Sequence, residues 1–137
     1  CADAVSFMAP LAVETGKMIA LTGSDEPVWV RGHAEALFRA VRNLIENAIR
    51  HTPAGVSIEV EVQPGGVVRV LDDGPGVPDG ERELIFSRFW RRDRAKSDSR
   101  GLGLAIVARV AEAHEGSVTV ENRPEGGAIF TLRLRPA

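Results

Sequence analysis

Residues Ala34 to His51 read AEALFRAVRNLIENAIRH, and this is the strongest helical pattern in the chain. Leu37, Phe38, Val41, Leu44, Ile45, Ala48 and Ile49 recur at the spacing of one buried stripe. At about 100° per residue, Asn43, Asn47 and Arg50 fall in a narrow sector almost opposite Val41. Asparagine is a poor helix former that favours caps and turns, so two of them at i and i+4 inside a helix cost about a few tenths of a kcal/mol each. A solvated face would tolerate them. The alternative is a ligand that compensates, with amide oxygens facing a hard cation such as magnesium and Arg50 facing phosphate.

Outward from this helix, Val5 to Lys17 carries apolar residues at helical spacing, made less secure by Pro10. Short β-type runs follow at Met18 to Thr22 and Pro27 to Arg31. Ser57 to Gln63 and Val67 to Leu71 flank Pro64, Gly65 and Gly66, which predicts an antiparallel hairpin. Leu104 to His114 reads as a helix. Ser117 to Asn122 and Ala128 to Arg135 form a closing hairpin across Pro124, Glu125, Gly126 and Gly127. Strands interleaved with a few helices predict an α+β fold in which a mixed sheet is covered by helices on one face.

The 137 residues, 44% of them apolar, suffice for one domain spanning residues 1 to 137 with its own core. With 19 acidic and 17 basic side chains, the formal charge of -2 gives no general reason for a nucleic-acid or anionic-membrane surface, so anion binding requires a local site. The lone cysteine, Cys1, builds neither an intrachain disulfide nor a Cys-based zinc site and suits a reducing cytosol. No apolar run reaches the roughly 20 residues needed to cross a bilayer, and no secretory signal is present. An opening at Cys1 without an initiator methionine is what a piece of a longer protein would show, with any membrane span upstream.

Three further segments carry chemistry. Asp72-Asp73-Gly74-Pro75-Gly76-Val77-Pro78 follows a strand directly; its glycines and prolines fix a turn and let a flat ligand approach the backbone. Asp72 is the candidate acceptor for an adenine amino group, against the alternative of a plain acidic turn. Leu84 to Arg92 sets three aromatics beside a basic run containing Arg88, Arg91, Arg92, Arg94, Lys96 and Arg100. That run is either a nucleic-acid patch or, given its shortness and its place between two glycine motifs, a lid over a nucleotide triphosphate. Gly101-Leu102-Gly103-Leu104 opens a helix whose free N–H groups and dipole favour an anion. It is neither a dinucleotide fingerprint nor a Walker loop, and the signatures of serine and tyrosine protein kinases are missing.

In order and spacing, the four segments resemble the N box, first glycine box, F box and second glycine box of the histidine-kinase catalytic domain. That domain belongs to the superfamily shared with gyrase, the heat-shock chaperone ATPase and the mismatch-repair ATPase. The resemblance covers Val5 to Pro136. It implies a two-layer α/β sandwich with a mostly antiparallel mixed sheet and ATP between the long helix and the lid. It further implies that Asn47 is a magnesium ligand with Asn43 beside it, that Arg50 contacts phosphate and that His51 flanks the nucleotide. Asp72 would meet the adenine amino group, Gly74, Gly76 and Val77 would line the base, and Gly101, Leu102, Gly103 and Leu104 would lie at the phosphates. Arg88 or Arg91 would reach the γ-phosphate on lid closure. One departure is that Ser99 and Arg100 stand where the family usually has a further glycine, which bears on lid mobility.

Asn43 matches the position at which hydrolytic relatives carry a water-activating glutamate, and an amide is no base, so the resemblance favours a kinase over an ATPase. Glu46, the nearest carboxylate, reads as a surface charge. Of the three histidines, His33 and His114 read as structural and His51 as nucleotide-facing, and none sits mid-helix beside a glutamate. The phospho-acceptor is therefore expected on an upstream dimerisation helix. The resemblance also implies a response regulator downstream, a homodimeric intact protein anchored in the inner membrane with this domain in the cytoplasm, and no nucleic-acid partner. A serine kinase of the anti-sigma-factor type, and a nucleotide-binding relay without transfer, share the same boxes.

Overall fold

A computed structural model describes residues 1–77, 79–81, 84–86 and 103–136, the side chains of positions 2 and 79 excepted. Helix α1 (Ala2–Glu14) and strand β1 (Met18–Gly23) lead into the long helix α2 (Ala34–Arg50). Strands β2 (Ser57–Gln63) and β3 (Val67–Asp72) form a hairpin. Two 3-10 turns, Asp79–Glu81 and Leu84–Phe86, precede helix α3 (Gly103–Ala113) and the closing strands β4 (Ser117–Asn122) and β5 (Ala128–Arg133).

The sheet runs β1-β2-β3-β5-β4, with β1 and β2 parallel and the remaining pairs antiparallel. This is the mixed, mostly antiparallel sheet that the sequence predicts. Alternate residues on the strands, Ile58, Val60, Val68, Val70, Phe130 and Leu132, are buried in one core with Leu44, Ile45 and Ile49 of α2, which is the period-two pattern of a sheet covered on one face. Helix α2 lies centrally, packed against the sheet and flanked by α1 and α3.

Three expectations change. Pro27 to Arg31 forms no strand: Val30 makes one antiparallel bridge to Pro136, and Trp29 is exposed. β-Prone residues become a strand only where a partner offers a ladder, and among the described residues the partner here is the tail beyond β5. The first helix stops at Glu14, short of Lys17, where the Thr15 hydroxyl donates to the Leu11 and Ala12 carbonyls and Gly16 takes a φ of 72°. The last strand ends at Arg133, not Arg135.

His33 and His114 are mutually engaged. The His114 ring accepts the His33 backbone N–H at Nε2 (3.1 Å), while Nδ1 lies 2.8 Å from the Val110 carbonyl. A neutral ring protonated at Nδ1 satisfies both contacts, and it ties the start of α2 to the end of α3.

Candidate functional site

Asp72 closes β3 on the core side of the sheet and is 4% exposed. Its Oδ1 accepts the backbone N–H groups of Gly74 (3.0 Å) and Ala128 (3.4 Å). Among the described residues Oδ2 receives no hydrogen bond, so the carboxylate keeps an acceptor for a ligand. Burial pushes the Asp72 pKa up; the two backbone N–H groups oppose that shift, Asp73 adds to it and Arg123 opposes it. Asp73 is exposed and turned away, its Oδ1 accepting the Ser57 N–H at 2.9 Å.

The loop after Asp72 lies against the end of α2. A Cβ on Gly74 would stand 2.7 Å from Cγ2 of Thr52, whose hydroxyl donates to the Ala48 carbonyl at 2.6 Å. Gly76 has a φ of 81°, which favours glycine. Val77 is half-buried at the far end of the loop.

On α2 the polar sector grades from inside to outside. Asn43 is 7% exposed, and its buried Nδ2 has no hydrogen-bond partner among the described residues. Asn47 is half-buried, and Arg50 is exposed with its Nε 2.9 Å from Oε1 of Glu46. Asn43 is thus no member of a solvated face, and Glu46, read as a surface charge, pairs with Arg50 while about a third exposed. The helix end itself is satisfied. His51 caps it, donating its N–H to the Asn47 carbonyl at 3.0 Å, and the Lys17 ammonium donates to the Ile49 carbonyl. Burial, and then the nearby Arg50 charge, lower the Lys17 pKa.

Helix α3 begins at half-buried Gly103, whereas the Leu104 side chain is buried in the core, which leaves only its backbone for a ligand. Gly101, Leu102, Arg88 and Arg91, together with Ser99 and Arg100, lie outside the described residues. No group of three or more His, Cys, Asp or Glu side chains suited to a metal ion occurs among the described residues. Amide oxygens such as those of Asn43 and Asn47 are a donor type that magnesium accepts, since it takes few protein ligands and completes its shell with water and substrate phosphates.

Sequence reasoning missed Lys17, Thr52, Asn122 and Arg123. Thr52 follows the helix as an ordinary turn residue, and Asn122 and Arg123 read as the start of the Pro124 to Gly127 turn. Only the contacts of Thr52, Asn122 and Arg123 with the 72–77 loop, and of Lys17 with the Ile49 carbonyl, distinguish them.

The model of the family described as histidine kinase-, DNA gyrase B- and HSP90-like ATPase matches residues 32–137. The sensor protein SphS of Synechococcus elongatus is 39% identical over 122 residues, covering 80% of this chain and 30% of SphS. The sensor-type histidine kinase PrrB of Mycobacterium tuberculosis is 45% identical over 97 residues, covering 69% of this chain and 22% of PrrB. The chain therefore spans less than a third of the length of these relatives. Among solved structures, the catalytic domain of histidine kinase ThkA superposes with a TM-score of 0.85 at 24% identity, covering 98% of this chain and 89% of that one. ThkA also occurs in complex with response regulator protein TrrA, where 99% of this chain matches 39% of that one with a TM-score of 0.81 at 23% identity. Among the described residues, no helix is long and apolar enough to cross a membrane.

Proposed function

The chain belongs to the histidine kinase-, DNA gyrase B- and HSP90-like ATPase family and is the catalytic domain of a histidine kinase, and from that premise we propose that it binds ATP with magnesium and presents the γ-phosphate to a histidine on a separate dimerisation helix. The observation that carries this reading is Asp72: a buried carboxylate with one oxygen held by backbone N–H groups and the other left as an acceptor beside a glycine-rich loop. The adenine amino group is the donor that matches it. Gly74, Gly76 and Val77 let the base approach the backbone, with His51 at its flank.

Asn47 and Asn43 would hold magnesium through their amide oxygens, and the Asn43 Nδ2, which has no partner among the described residues, would donate to a phosphate oxygen. When bound, magnesium neutralises charge between phosphates. Arg50, Gly101, Leu102, Gly103 and Leu104, and Arg88 or Arg91 would orient the triphosphate for in-line transfer, which depends on positioning and charge neutralisation more than on covalent help. No carboxylate stands at the Asn43 position to activate water. The bond from the His33 backbone N–H to the His114 ring, and the contact of that ring with the Val110 carbonyl, support a structural role for both and an acceptor outside this domain. The intact protein is proposed to be a homodimer anchored in the inner membrane, with this domain in the cytoplasm and a response regulator as the next phosphoryl acceptor; no nucleic-acid partner is proposed.

Labelled ATP supplied with an acceptor-helix fragment tests the reading. Acid-labile label on the fragment is expected; acid-stable label would indicate a serine kinase, and ATP binding with no transfer a relay. Stable phosphohistidine on the domain alone would overturn the separate acceptor.

A further inference from the structure

We propose that Asn122 is a positioning residue for adenine recognition, its side-chain amide clamping the far end of the loop that begins at Asp72; this rests on the ATP reading above. The Val77 N–H donates to Asn122 Oδ1 at 2.8 Å, and Asn122 Nδ2 donates to the Val77 carbonyl at 2.7 Å. Because a residue's backbone offers one donor and one acceptor, only this orientation of the amide satisfies both. Gly76 packs directly on it, since a Cβ there would stand 2.7 Å from Oδ1.

The near end of the loop is gripped by the same β-turn region. The Arg123 guanidinium donates to the Asp72 carbonyl at 3.2 Å and is steadied by Glu125 at 3.0 Å. Ala128, the β5 partner of Asn122 in the ladder, sends its N–H to Oδ1 of Asp72. Adjacent residues of one hairpin therefore hold both ends of the 72–77 segment. Asn122 is itself exposed, so its two bonds serve the loop and not the core.

The consequence is preorganisation. Ordering loop residues on binding would cost about 1–2 kcal/mol per residue, and a loop already held avoids much of that cost. With the loop fixed, the unused Asp72 oxygen stands at one point, where it matches the adenine donor and rejects the carbonyl that guanine carries there.

Calorimetry with ATP, and competition with GTP, on wild type, Asn122→Leu, Asn122→Asp and the pair Asp72→Asn with Asn122→Leu tests this. Asn122→Leu removes both bonds at similar volume and is expected to weaken ATP about tenfold while leaving GTP nearly unchanged. Asn122→Asp keeps the acceptor for the Val77 N–H and is expected to fall between. In the Asp72→Asn background, Asn122→Leu should add less than about twofold, because the two act through one contact. Wild-type ATP affinity in Asn122→Leu, equal losses for ATP and GTP, or additivity with Asp72→Asn would overturn the proposal. Should Asn122→Leu fail to fold, Asn122→Asp alone decides by the same ratio of ATP to GTP. Failure of the wild-type domain to bind ATP would overturn the parent reading with it, whereas ATP binding indifferent to residue 122 would overturn this inference only.

Discussion

The loop from Asp72 to Val77 and the C-terminal half of α2 meet at the contact between Gly74 and Thr52, but they handle their polar groups differently. In the loop, the protein itself supplies partners at both ends, from Gly74, Ala128, Arg123 and Asn122. On α2 the backbone is capped, yet among the described residues the side chain of Asn43 keeps a buried amide nitrogen without a partner. Buried polar groups without partners cost stability and are uncommon in native structures. The loop is thus held at both ends by the protein's own groups, while the α2 face keeps a buried donor unused among the described residues. Under the proposed function, the base end would be preorganised and the phosphate end would be completed by what it binds.

The largest effect should come from breaking the rigid side. Gly127 has a φ of 100°, and a Cβ there would lie 1.9 Å from the Asp72 carbonyl oxygen. Gly127→Ala meets a backbone clash and a left-handed conformation together, so a loss of about 3 kcal/mol of stability is expected, measured by denaturant unfolding. A wild-type midpoint would show that the β4–β5 turn does not constrain Asp72.

Asp72→Asn comes next. It keeps Oδ1 for Gly74 and Ala128 but exchanges the charged acceptor, so ATP affinity should fall about tenfold to a hundredfold, with Asp73→Asn as the unaffected control. Because burial raises the Asp72 pKa, the folded state takes up its proton at a higher pH than the unfolded chain. The ionised form therefore costs stability at neutral pH, and that cost is relieved as pH falls through the raised value toward 3.8. ATP affinity should move the opposite way over the same window, weakening as the acceptor is protonated. Asp72→Asn should abolish both trends and melt no lower than wild type at neutral pH. A pH-independent ATP affinity in wild type would count against a charged acceptor.

What the sequence discloses follows the same division. The stripe from Leu37 to Ile49 is legible because helix periodicity is local, and the turn at Gly74 to Val77 because glycine and proline act on their own backbone. The clamp by Asn122 and the bond from Arg123 are not legible: they join positions 45 and 51 residues away in the chain. The burial of Asn43 is hidden for a related reason, since a helical wheel gives the direction of a side chain and not what covers it. Pro27 to Arg31 shows the converse failure, in which strand propensity finds no ladder.

Asn43→Leu sharpens the contrast on the other side. Replacing an unpartnered buried amide by an apolar group of similar volume should stabilise the ligand-free domain by about 1 kcal/mol. The same change should weaken ATP binding about tenfold in the presence of magnesium and little in its absence. Destabilisation by Asn43→Leu would mean that the amide is satisfied within the protein, and equal wild-type affinity with and without magnesium would remove Asn47 and Asn43 as metal ligands.

The smallest effect concerns Glu46, which holds Arg50 in an ion pair at the outer end of the same helical sector. Both side chains are about a third exposed, at 36% for Arg50 and 34% for Glu46, and an i,i+4 pair of this kind is worth about 0.3–0.5 kcal/mol. Glu46→Gln should therefore lower stability by no more than that. If Arg50 contacts phosphate, it must leave or share Glu46 when ATP binds, so neutralising Glu46 removes a competitor. ATP affinity should then rise about twofold, by the same 0.3–0.5 kcal/mol, and the gain should vanish in an Arg50→Gln background. An affinity that falls in Glu46→Gln would show instead that the carboxylate presents Arg50 to the phosphates, and one that stays unchanged in both backgrounds would place Arg50 outside the site.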